Sequence, residues 1–312
     1  MSNRTLRLGT RGSLLARTQS GMISEQLQQL TDYEVTENII RTEGDDVTAV
    51  LTKLARPGVF VTALRAALLR GEVDFLVHSY KDLPSMPAPG ITLVAVPARE
   101  DHRDVLISRS GLGLLQLPPG SLVGTSSPRR ASRIQHIRPD LRVSPIRGNI
   151  DSRLRKIHEG EFDAGVLAAA GLNRVQRAAE VTEYFTIEQL LPAPAQGALA
   201  VECRSDDMEL LGLLAKLDHQ LTRLTTTAER AILVGINATC STAIGAFAQY
   251  NEGTLTLTAE LSDGAEDEHE RFSLSQSAIN LMDYEKAHLL GISVAELIRN
   301  TSLGKRLGST YE

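Results

Sequence analysis

Short apolar runs alternate with segments of helical periodicity along the first half of the chain. The runs predict strands, and the segments in which apolar residues recur every three or four positions predict helices. The predicted strands lie at 6–10, 35–40, 73–77, 91–96, 105–107, 122–125, 142–146 and 164–168, and the predicted helices lie at 14–30, 60–69, 129–137 and 150–159. Alternation of this kind predicts two similar α/β lobes, each built on a largely parallel sheet.

The pattern changes after Pro192-Ala193-Pro194, which marks a break. A further strand is predicted at 198–203, and helices are predicted at 208–217 and 221–234. Beyond Cys240, short alternating strands are predicted at 243–250, 254–261 and 271–275, followed by a helix at 283–300. The C-terminal part therefore predicts a small α+β domain with an antiparallel sheet.

The composition is that of a globular protein, with 42% hydrophobic and 23% charged residues. No apolar run approaches the roughly 18–20 residues that cross a bilayer, and the first residues lack the apolar core of a signal peptide. We therefore expect a cytoplasmic protein. The two cysteines, Cys203 and Cys240, predict neither a structural disulfide nor a zinc site.

Charge is unevenly distributed along the chain. The formal net charge is −5, and residues 99–155 contain eleven arginines against five acidic residues, whereas residues 250–312 are strongly acidic. The planar guanidinium group binds carboxylates and phosphates, so the arginine cluster indicates a small polyanionic ligand, although a GC-rich genome also raises arginine content. A nucleic-acid surface is disfavoured because aromatic residues make up only 4% and no recognisable motif is present.

Polar residues follow the predicted strands at several places. Thr10-Arg11-Gly12-Ser13 follows the first strand, and residues 78–82 follow a buried strand. In the second lobe, residues 124–130 and 146–149 follow two further strands. Open α/β sheets bind ligands beyond the carboxyl ends of their strands, and helix N-termini bind anions. Taken alone, the first motif is also typical of a capping serine beside a surface arginine, and the second of a turn closed by Pro84.

Cys240 lies in a predicted loop, whereas Cys203 lies in an apolar strand where packing explains it. A loop thiol suits a nucleophile or a covalent anchor. A cysteine hydrolase would need a partner histidine, and none of the seven histidines lies in a recognised local signature. No P-loop, GxGxxG or HExxH motif occurs. The residues alone leave the role of Cys240 open.

Taken together, the motifs at 9–13, 78–84, 124–130, 147–149 and 196–198 and the Cys240 loop closely resemble those of the porphobilinogen deaminases, also called hydroxymethylbilane synthases. The resemblance extends from about residue 6 to about residue 245. It implies two α/β lobes like those of type 2 periplasmic binding proteins and a small C-terminal α+β domain bearing the cofactor cysteine. The implied domains are 1–97 with 198–215, 98–197, and 216–312.

The resemblance also implies an activity. Members of this family are transferases of tetrapyrrole (haem) biosynthesis that join porphobilinogen units head to tail, with loss of ammonia, and release linear hydroxymethylbilane. The product grows on a dipyrromethane cofactor, itself made from substrate, which a thioether holds to the cysteine matching Cys240. A monomer that binds porphobilinogen, and neither nucleic acid nor a membrane, is expected.

Residue roles follow from the same resemblance. Asp82 is expected to be catalytic, binding pyrrole N–H groups and assisting proton transfer. The expected cofactor-binding residues are Cys240, Lys81, Ser79, Thr125, Ser127, Arg129, Arg130, Arg153 and Gly148. The expected substrate-binding residues are Arg11, Ser13, Arg147, Arg153, Lys53, Phe60 and Gln196, and no metal is expected. The arginines match the acetate and propionate groups that each pyrrole carries.

Three positions depart from the family pattern. Ala238-Thr239 precedes Cys240 where the family commonly has two glycines, Arg56-Pro57 interrupts a usually glycine- and lysine-rich stretch, and Pro128 replaces an aliphatic residue. Pro128 suits the first turn of a helix. Two alternative functions are a non-catalytic two-lobed binding protein for a small carboxylate, which has no need of Asp82 and Cys240, and a cysteine hydrolase.

Overall fold

The computed structural model describes residues 5–40, 59–239, 242–263 and 268–309, without the side chains of 59, 60 and 307–309. The chain divides into two compact units, Met1–Arg99 with Ala198–Arg223, and Glu100–Gly197 with Leu224–Glu312. The finer division into three domains remains a prediction. Among the described residues, no helix combines the length and apolar character needed to cross a membrane.

The predicted alternation of strands and helices is observed in the described residues. The strands are β1 (Leu6–Thr10), β2 (Val35–Ile39), β3 (Phe75–Ser79), β4 (Ile91–Ala95), β5 (Asp104–Ser108), β6 (Leu122–Gly124), β7 (Arg142–Ser144), β8 (Ala164–Ala168), β9 (Glu183–Tyr184), β10 (Leu199–Arg204), β11 (Ala243–Asn251), β12 (Thr254–Asp263) and β13 (Glu268–Gln276). The helices are α1 (Leu14–Leu30), α2 (Val59–Leu69), α3 (Pro128–Ile137), α4 (Ile150–His158), α5 (Ala169–Arg174), α6 (Met208–Leu214), α7 (Gln220–Gly235), α8 (Tyr284–Asn300) and α9 (Ser302–Ser309). Helices α5 and α9 and the short strand β9 were not predicted.

The first unit is built on a five-stranded sheet in the order β2-β1-β3-β10-β4. Successive side chains of a strand point to opposite faces, so each face buries its own apolar set. Phe75 and Val77 of β3 belong to the apolar core that includes α1 and α6. Leu76 belongs to a second core with Leu64 and Leu68 of α2. The sheet is therefore covered by helices on both faces.

The second unit contains a sheet of the same kind, in the order β7-β6-β8-β5-β9. In each sheet four strands run in the same direction, while β10 in the first sheet and β5 in the second run antiparallel to both of their neighbours. The prediction of largely parallel sheets is therefore wrong for half of the strand pairs. The reason is that β10 pairs with β3, and β5 with β8, across long stretches of the chain and without the single helical crossover that makes successive strands parallel.

The C-terminal part of the second unit is a three-stranded antiparallel sheet in the order β11-β12-β13. Its apolar face packs with α7 and α8, and Leu257, Leu290 and Val294 are among the buried residues. Gly291 allows α8 to approach α7 closely, because a Cβ atom there would overlap the Ala228 carbonyl oxygen. The predicted fold class, two α/β lobes with a small α+β C-terminal part, is confirmed at the level of the sheets and helices.

Ion pairs to two buried carboxylates tie the strands of the first unit together. Asp74, at the amino end of β3, accepts hydrogen bonds from Nε and Nη2 of Arg7 at 3.0 and 2.9 Å, and Nη2 of Arg204 lies 3.4 Å away. On α2, Arg65 contacts both carboxylate oxygens of Glu202 at 2.5 and 3.0 Å. Nε2 of His78 lies 3.4 Å from the same carboxylate. These contacts join β1, β3 and β10 to each other and to α2.

The Glu202 cluster predicts a pH dependence of stability. Burial raises the pKa of Glu202, but the contacts with His78 and Arg65 outweigh this effect and lower the pKa from 4.5 to about 2. A carboxyl whose pKa is lower in the folded state stabilises the protein fully above pH 4.5 and loses this contribution as pH falls towards 2. The shift corresponds to about 3 kcal/mol at neutral pH.

We therefore expect Glu202→Gln to lower the free energy of unfolding by about 3 kcal/mol at pH 7, with a difference that shrinks as pH falls below 4.5. Urea denaturation from pH 7 to pH 3 measures this. Glu72→Gln is the control, because Glu72 forms an exposed pair with Arg70 that contributes little. A pH-independent loss in Glu202→Gln would contradict the assignment.

Candidate active site at the carboxyl edges of the two sheets

Two predicted motifs meet at the carboxyl edge of the first sheet. Strands β1 and β3 are parallel neighbours, so the residues that follow them lie at the same edge. Residues 11–13 follow β1, and Ser79 ends β3 directly before a 3₁₀ turn, Tyr80–Asp82. Ser13 caps α1, its Oγ accepting from the Ala16 N–H at 3.3 Å. The structure therefore brings Arg11, Ser13, Ser79, Lys81 and Asp82 to one edge.

The turn that follows β3 presents Asp82 to solvent. The Tyr80 N–H donates to the carbonyl oxygen of Ala198 at 3.0 Å, and the Leu83 N–H closes the turn on Tyr80 O at 3.2 Å. Tyr80 and Leu83 are buried, Lys81 is half-buried and Asp82 is exposed. Buried neighbours on both sides thus fix the backbone of an exposed carboxylate that stands next to a lysine.

Gln19 is a residue of this edge that the sequence analysis missed. It is buried, and its Nε2 donates to Ser79 Oγ at 2.8 Å. One residue further along α1, Ser20 Oγ donates to Thr10 Oγ1 at 2.8 Å. These bonds hold α1 against the ends of β1 and β3. Gln19 could have been found from the sequence, because it is a polar residue on the same helix face as the buried Ile23 and Leu27.

The second sheet has a similar edge, formed by the turns after β6 and β7. Ser126 Oγ donates to the Ile146 carbonyl oxygen at 2.8 Å, which links the two turns. Each turn ends in a capped helix: Ser127 caps α3 and Asn149 caps α4, where its side chain accepts from the Ser152 N–H at 2.9 Å. Thr125 is buried beside them. Two helix N-termini, which favour anions, therefore open at this edge.

Gly148 has a conformation that requires glycine. Its φ is +114°, and a Cβ atom would lie 2.7 Å from Ser152 Cβ. Arg153 Nε donates to the Gly148 carbonyl oxygen at 2.8 Å. Arg147 is exposed and Arg153 is half-buried at the same turn. The bare backbone and the neighbouring guanidinium groups leave room for a carboxylate to approach.

Arg129 and Arg130, at the start of α3, are buried against one carboxylate. Nη1 of Arg129 lies 2.7 Å from Asp104 Oδ2, and Arg130 contacts Oδ1 through Nη2 at 2.6 Å and Nε at 3.0 Å. Burial raises the pKa of Asp104, but the two guanidinium charges outweigh it and hold that pKa well below its ordinary value. Burial lowers the pKa of Arg129. Asp104 itself was missed by the sequence analysis.

Gln196 lies inside this cluster. Its side chain is fully buried, with Nε2 donating to Asp104 Oδ1 at 2.9 Å and to the His102 carbonyl oxygen at 2.8 Å. Arg130 Nη2 reaches Gln196 Oε1 at 3.4 Å. The observed contacts of Gln196 are therefore with the protein interior, so direct contact with substrate remains a prediction. The burial of Gln196 is typical of a residue that holds the Arg130 side chain in place.

The C-terminal sheet packs against the start of α3. Gly245, on β11, faces Arg129, whose Cδ would lie 3.3 Å from a Cβ atom built there. The Ala246 N–H donates to the Pro192 carbonyl oxygen at 2.9 Å. Cys240 lies a few residues before β11 but outside the described residues, as do Lys53 and the side chain of Phe60. The strand that follows the Cys240 loop is thus placed beside Arg129.

Arg174 is a further cation that the sequence analysis missed, because the short helix α5 that it ends was not predicted. It follows β8 at the carboxyl edge of the second sheet. Burial lowers its pKa to about 10, although Glu100 acts to raise it. Nη2 donates to the Gly197 carbonyl oxygen at 2.7 Å, and the buried Nε has no acceptor among the described residues. Arg174 therefore adds a half-buried positive charge to this edge.

The fold and these two edges are typical of an α/β enzyme that acts on a carboxylated substrate. Residues 6–212 match the family model described as porphobilinogen deaminase, dipyromethane cofactor binding domain. Residues 223–300 match the model of the porphobilinogen deaminase C-terminal domain.

Curated relatives carry the same name. Porphobilinogen deaminase of Thermobifida fusca is 50% identical over 270 residues, covering 85% of this chain and 84% of the relative. Porphobilinogen deaminase 1 of Streptomyces coelicolor is 48% identical, covering 80% of this chain and 79% of the relative. Among solved structures, the periplasmic VFT2 domain of Bordetella pertussis BvgS is 15% identical, with a TM-score of 0.40, covering 68% of this chain and 86% of that one.

The chain belongs to the porphobilinogen deaminase family. The predicted enzyme class is thereby confirmed, and so is the dipyrromethane cofactor. The alternative of a non-catalytic carboxylate-binding protein is not favoured, because both family models and the curated relatives belong to the enzyme.

Proposed function

We propose that this chain joins porphobilinogen units into hydroxymethylbilane on a dipyrromethane held by Cys240, with Asp82 as the catalytic carboxylate. The observation that carries this assignment is the Tyr80–Asp82 turn, which fixes an exposed carboxylate beside Lys81 at the carboxyl end of β3. Catalytic groups of open α/β sheets belong at that position.

Each edge, taken by itself, carries groups of the kind that bind a dipyrromethane. Each pyrrole ring carries an acetate and a propionate, so the group needs cations and N–H donors for its carboxylates and a carboxylate for its ring N–H groups. Arginines, hydroxyl groups and two helix N-termini supply the cations and donors for the carboxylates. Asp82 supplies the carboxylate for the ring N–H groups. When bound, the dipyrromethane supplies the pyrrole carbon to which substrate units are added.

Asp82 acts on the charge that the reaction develops. Loss of ammonia from porphobilinogen leaves its ring electron-poor, with positive charge spread towards the ring nitrogen. A fixed carboxylate that accepts a hydrogen bond from this N–H stabilises the charge as it forms. The same carboxylate oxygens assist proton transfer. Lys81 binds a carboxylate of the cofactor.

The remaining residues bind and orient. Ser79, Thr125, Ser127 and the backbone at Gly148 donate hydrogen bonds to cofactor carboxylates, and Arg129, Arg130 and Arg153 supply positive charge. The proposed substrate contacts are Arg11, Ser13, Arg147, Arg153, Lys53, Phe60 and Gln196. Holding the reacting groups in a fixed geometry lowers the entropic cost of each addition.

We also propose that the protein works as a cytoplasmic monomer without nucleic acid or membrane partners. The acidic net charge and the absence of an apolar helix of spanning length among the described residues support this. Light scattering of the purified chain at micromolar concentration is expected to give a mass near 33.9 kDa. A stable dimer mass would contradict the monomer.

The cofactor anchor is tested by the intact mass of the purified protein. We expect a mass excess equal to two linked pyrrole units, present in the parent and absent from Cys240→Ala. Cys203→Ala is the matched control, because the Cys203 thiol is buried and burial raises its pKa to about 11. That variant should keep the added mass. A parent that stays unmodified and inactive after incubation with porphobilinogen would contradict the proposed function.

A further inference from the structure

Asp104 is the only acidic side chain that contacts both buried arginines of α3 among the described residues. It is completely buried at the start of β5. Consecutive residues of a helix point about 100° apart around its axis, so Arg129 and Arg130 would ordinarily diverge. Because both guanidinium groups contact one carboxylate, the rotation of the first turn of α3 about its helix axis is fixed.

The two arginines use Asp104 differently. Arg130 is occupied within the protein: Nε and Nη2 contact Asp104, Nη2 also reaches Gln196, and Nη1 donates to the Val166 carbonyl oxygen at 3.1 Å. Arg129 contacts Asp104 through Nη1, which also donates to the Leu191 carbonyl oxygen at 2.6 Å. Arg130 thus makes more of the contacts with this network than Arg129 does, and we treat Arg130 as the inner anchor.

The net charge of the Asp104, Arg129 and Arg130 side chains also favours an anionic ligand. One carboxylate contacts two guanidinium groups, so these three side chains together carry one positive charge, and the negative charge of Glu260 also acts on Arg129. That charge lies at the N-terminus of α3, where the helix dipole also favours an anion. A carboxylate arriving at this position meets a preformed cationic site and does not have to reorganise it, which is the condition for fast and tight binding.

We infer that Asp104 is a positioning residue that orients Arg129, through the Arg130 and Gln196 network, for binding a carboxylate of the dipyrromethane. This inference rests on the proposed function, and it deepens it by separating the arginine that anchors from the arginine that binds. Asp104 touches neither substrate nor cofactor in this scheme and acts only through the side chains it holds.

The test follows cofactor loading rather than turnover. Protein produced without cofactor is incubated with porphobilinogen, and the gain of the two-pyrrole mass is followed by intact mass spectrometry. We expect Asp104→Asn to load at least tenfold more slowly than the parent, because the neutral amide no longer holds both guanidinium groups. Asp104→Glu, which keeps the charge but moves it by one methylene, should load at an intermediate rate.

Asp74→Asn is the matched control. Asp74 is also buried and also engages two arginines, Arg7 and Arg204, but it lies at the amino edge of the first sheet. Both variants should melt at lower temperature than the parent, yet only Asp104→Asn should load slowly. If Asp74→Asn slows loading equally, Asp104 is merely structural and the inference is wrong.

Other outcomes also decide the question. Loading of Asp104→Asn at the parental rate would overturn the positioning role while leaving the proposed function intact. Should Asp104→Asn not fold, Asp104→Glu carries the test, and loading at the parental rate would overturn the inference. A parent that never gains the two-pyrrole mass would overturn the proposed function and this inference with it.

Discussion

Asp82→Asn is expected to lower kcat by about 10²–10³, the usual effect of losing one electrostatic group that acts on developing charge. The side chain is exposed and the turn is held by the buried Tyr80 and Leu83, so the fold should be unaffected. The effect should fall on kcat and much less on KM, because the charge that Asp82 stabilises exists only after ammonia begins to leave.

Steady-state formation of hydroxymethylbilane, measured on variant protein whose intact mass shows an attached cofactor, checks this expectation. The control is Glu72→Gln, which neutralises an exposed carboxylate of the same unit away from the site and should keep parental kcat. A folded, cofactor-bearing Asp82→Asn with near-parental kcat would refute the catalytic assignment.

Gly197→Ala is expected to lower the free energy of unfolding by about 2–5 kcal/mol, the combined effect of backbone strain and steric overlap. Gly197 has φ of +90°, and a Cβ atom would overlap the Glu100 carbonyl oxygen, which is backbone and cannot rotate away. Its own carbonyl oxygen accepts from the Glu100 N–H and from Arg174. Substitution therefore disturbs the residues around Gln196 as well.

Thermal and urea denaturation measure the loss. Gly111→Ala separates the two causes, because Gly111 has a similar φ of +74° but no neighbour within 4 Å of a built Cβ atom. That variant should lose only about 1 kcal/mol, the conformational part alone. Equal losses in the two variants would show that steric overlap at Gly197 is unimportant.

Local patterns were sufficient to predict the edges that carry the site. Ser13 was predicted to cap α1 and does so, and Asp82 was predicted to follow a buried strand and lies just beyond the end of β3. These features depend on residues close in sequence, where apolar periodicity and capping chemistry act directly. The C-terminal antiparallel sheet was predictable for the same reason.

The features that were not predicted depend on segments far apart in sequence. Asp104, Arg130 and Gln196 come from three segments that meet only in the folded chain, and no local pattern marks them as partners. Arg129 and Arg130 were recognised as part of a basic cluster, but their burial was not. The antiparallel direction of β5 and β10 also depends on where the chain enters each sheet, which periodicity does not report.

The insertion of β10 into the first sheet has a consequence for biosynthesis. Val201 pairs with Val77, so the partner of β3 leaves the ribosome about 120 residues after β3 itself. During that interval the nascent chain exposes the unpaired edge of a strand that is buried on both faces in the finished protein, a surface that favours aggregation. Strands β5 to β9 all emerge within the interval, so the second sheet can form while the first still lacks β10, which joins β3 to β4. The order of folding is therefore expected to run against the order of synthesis, and chaperone binding should be strongest on nascent chains that end before residue 204.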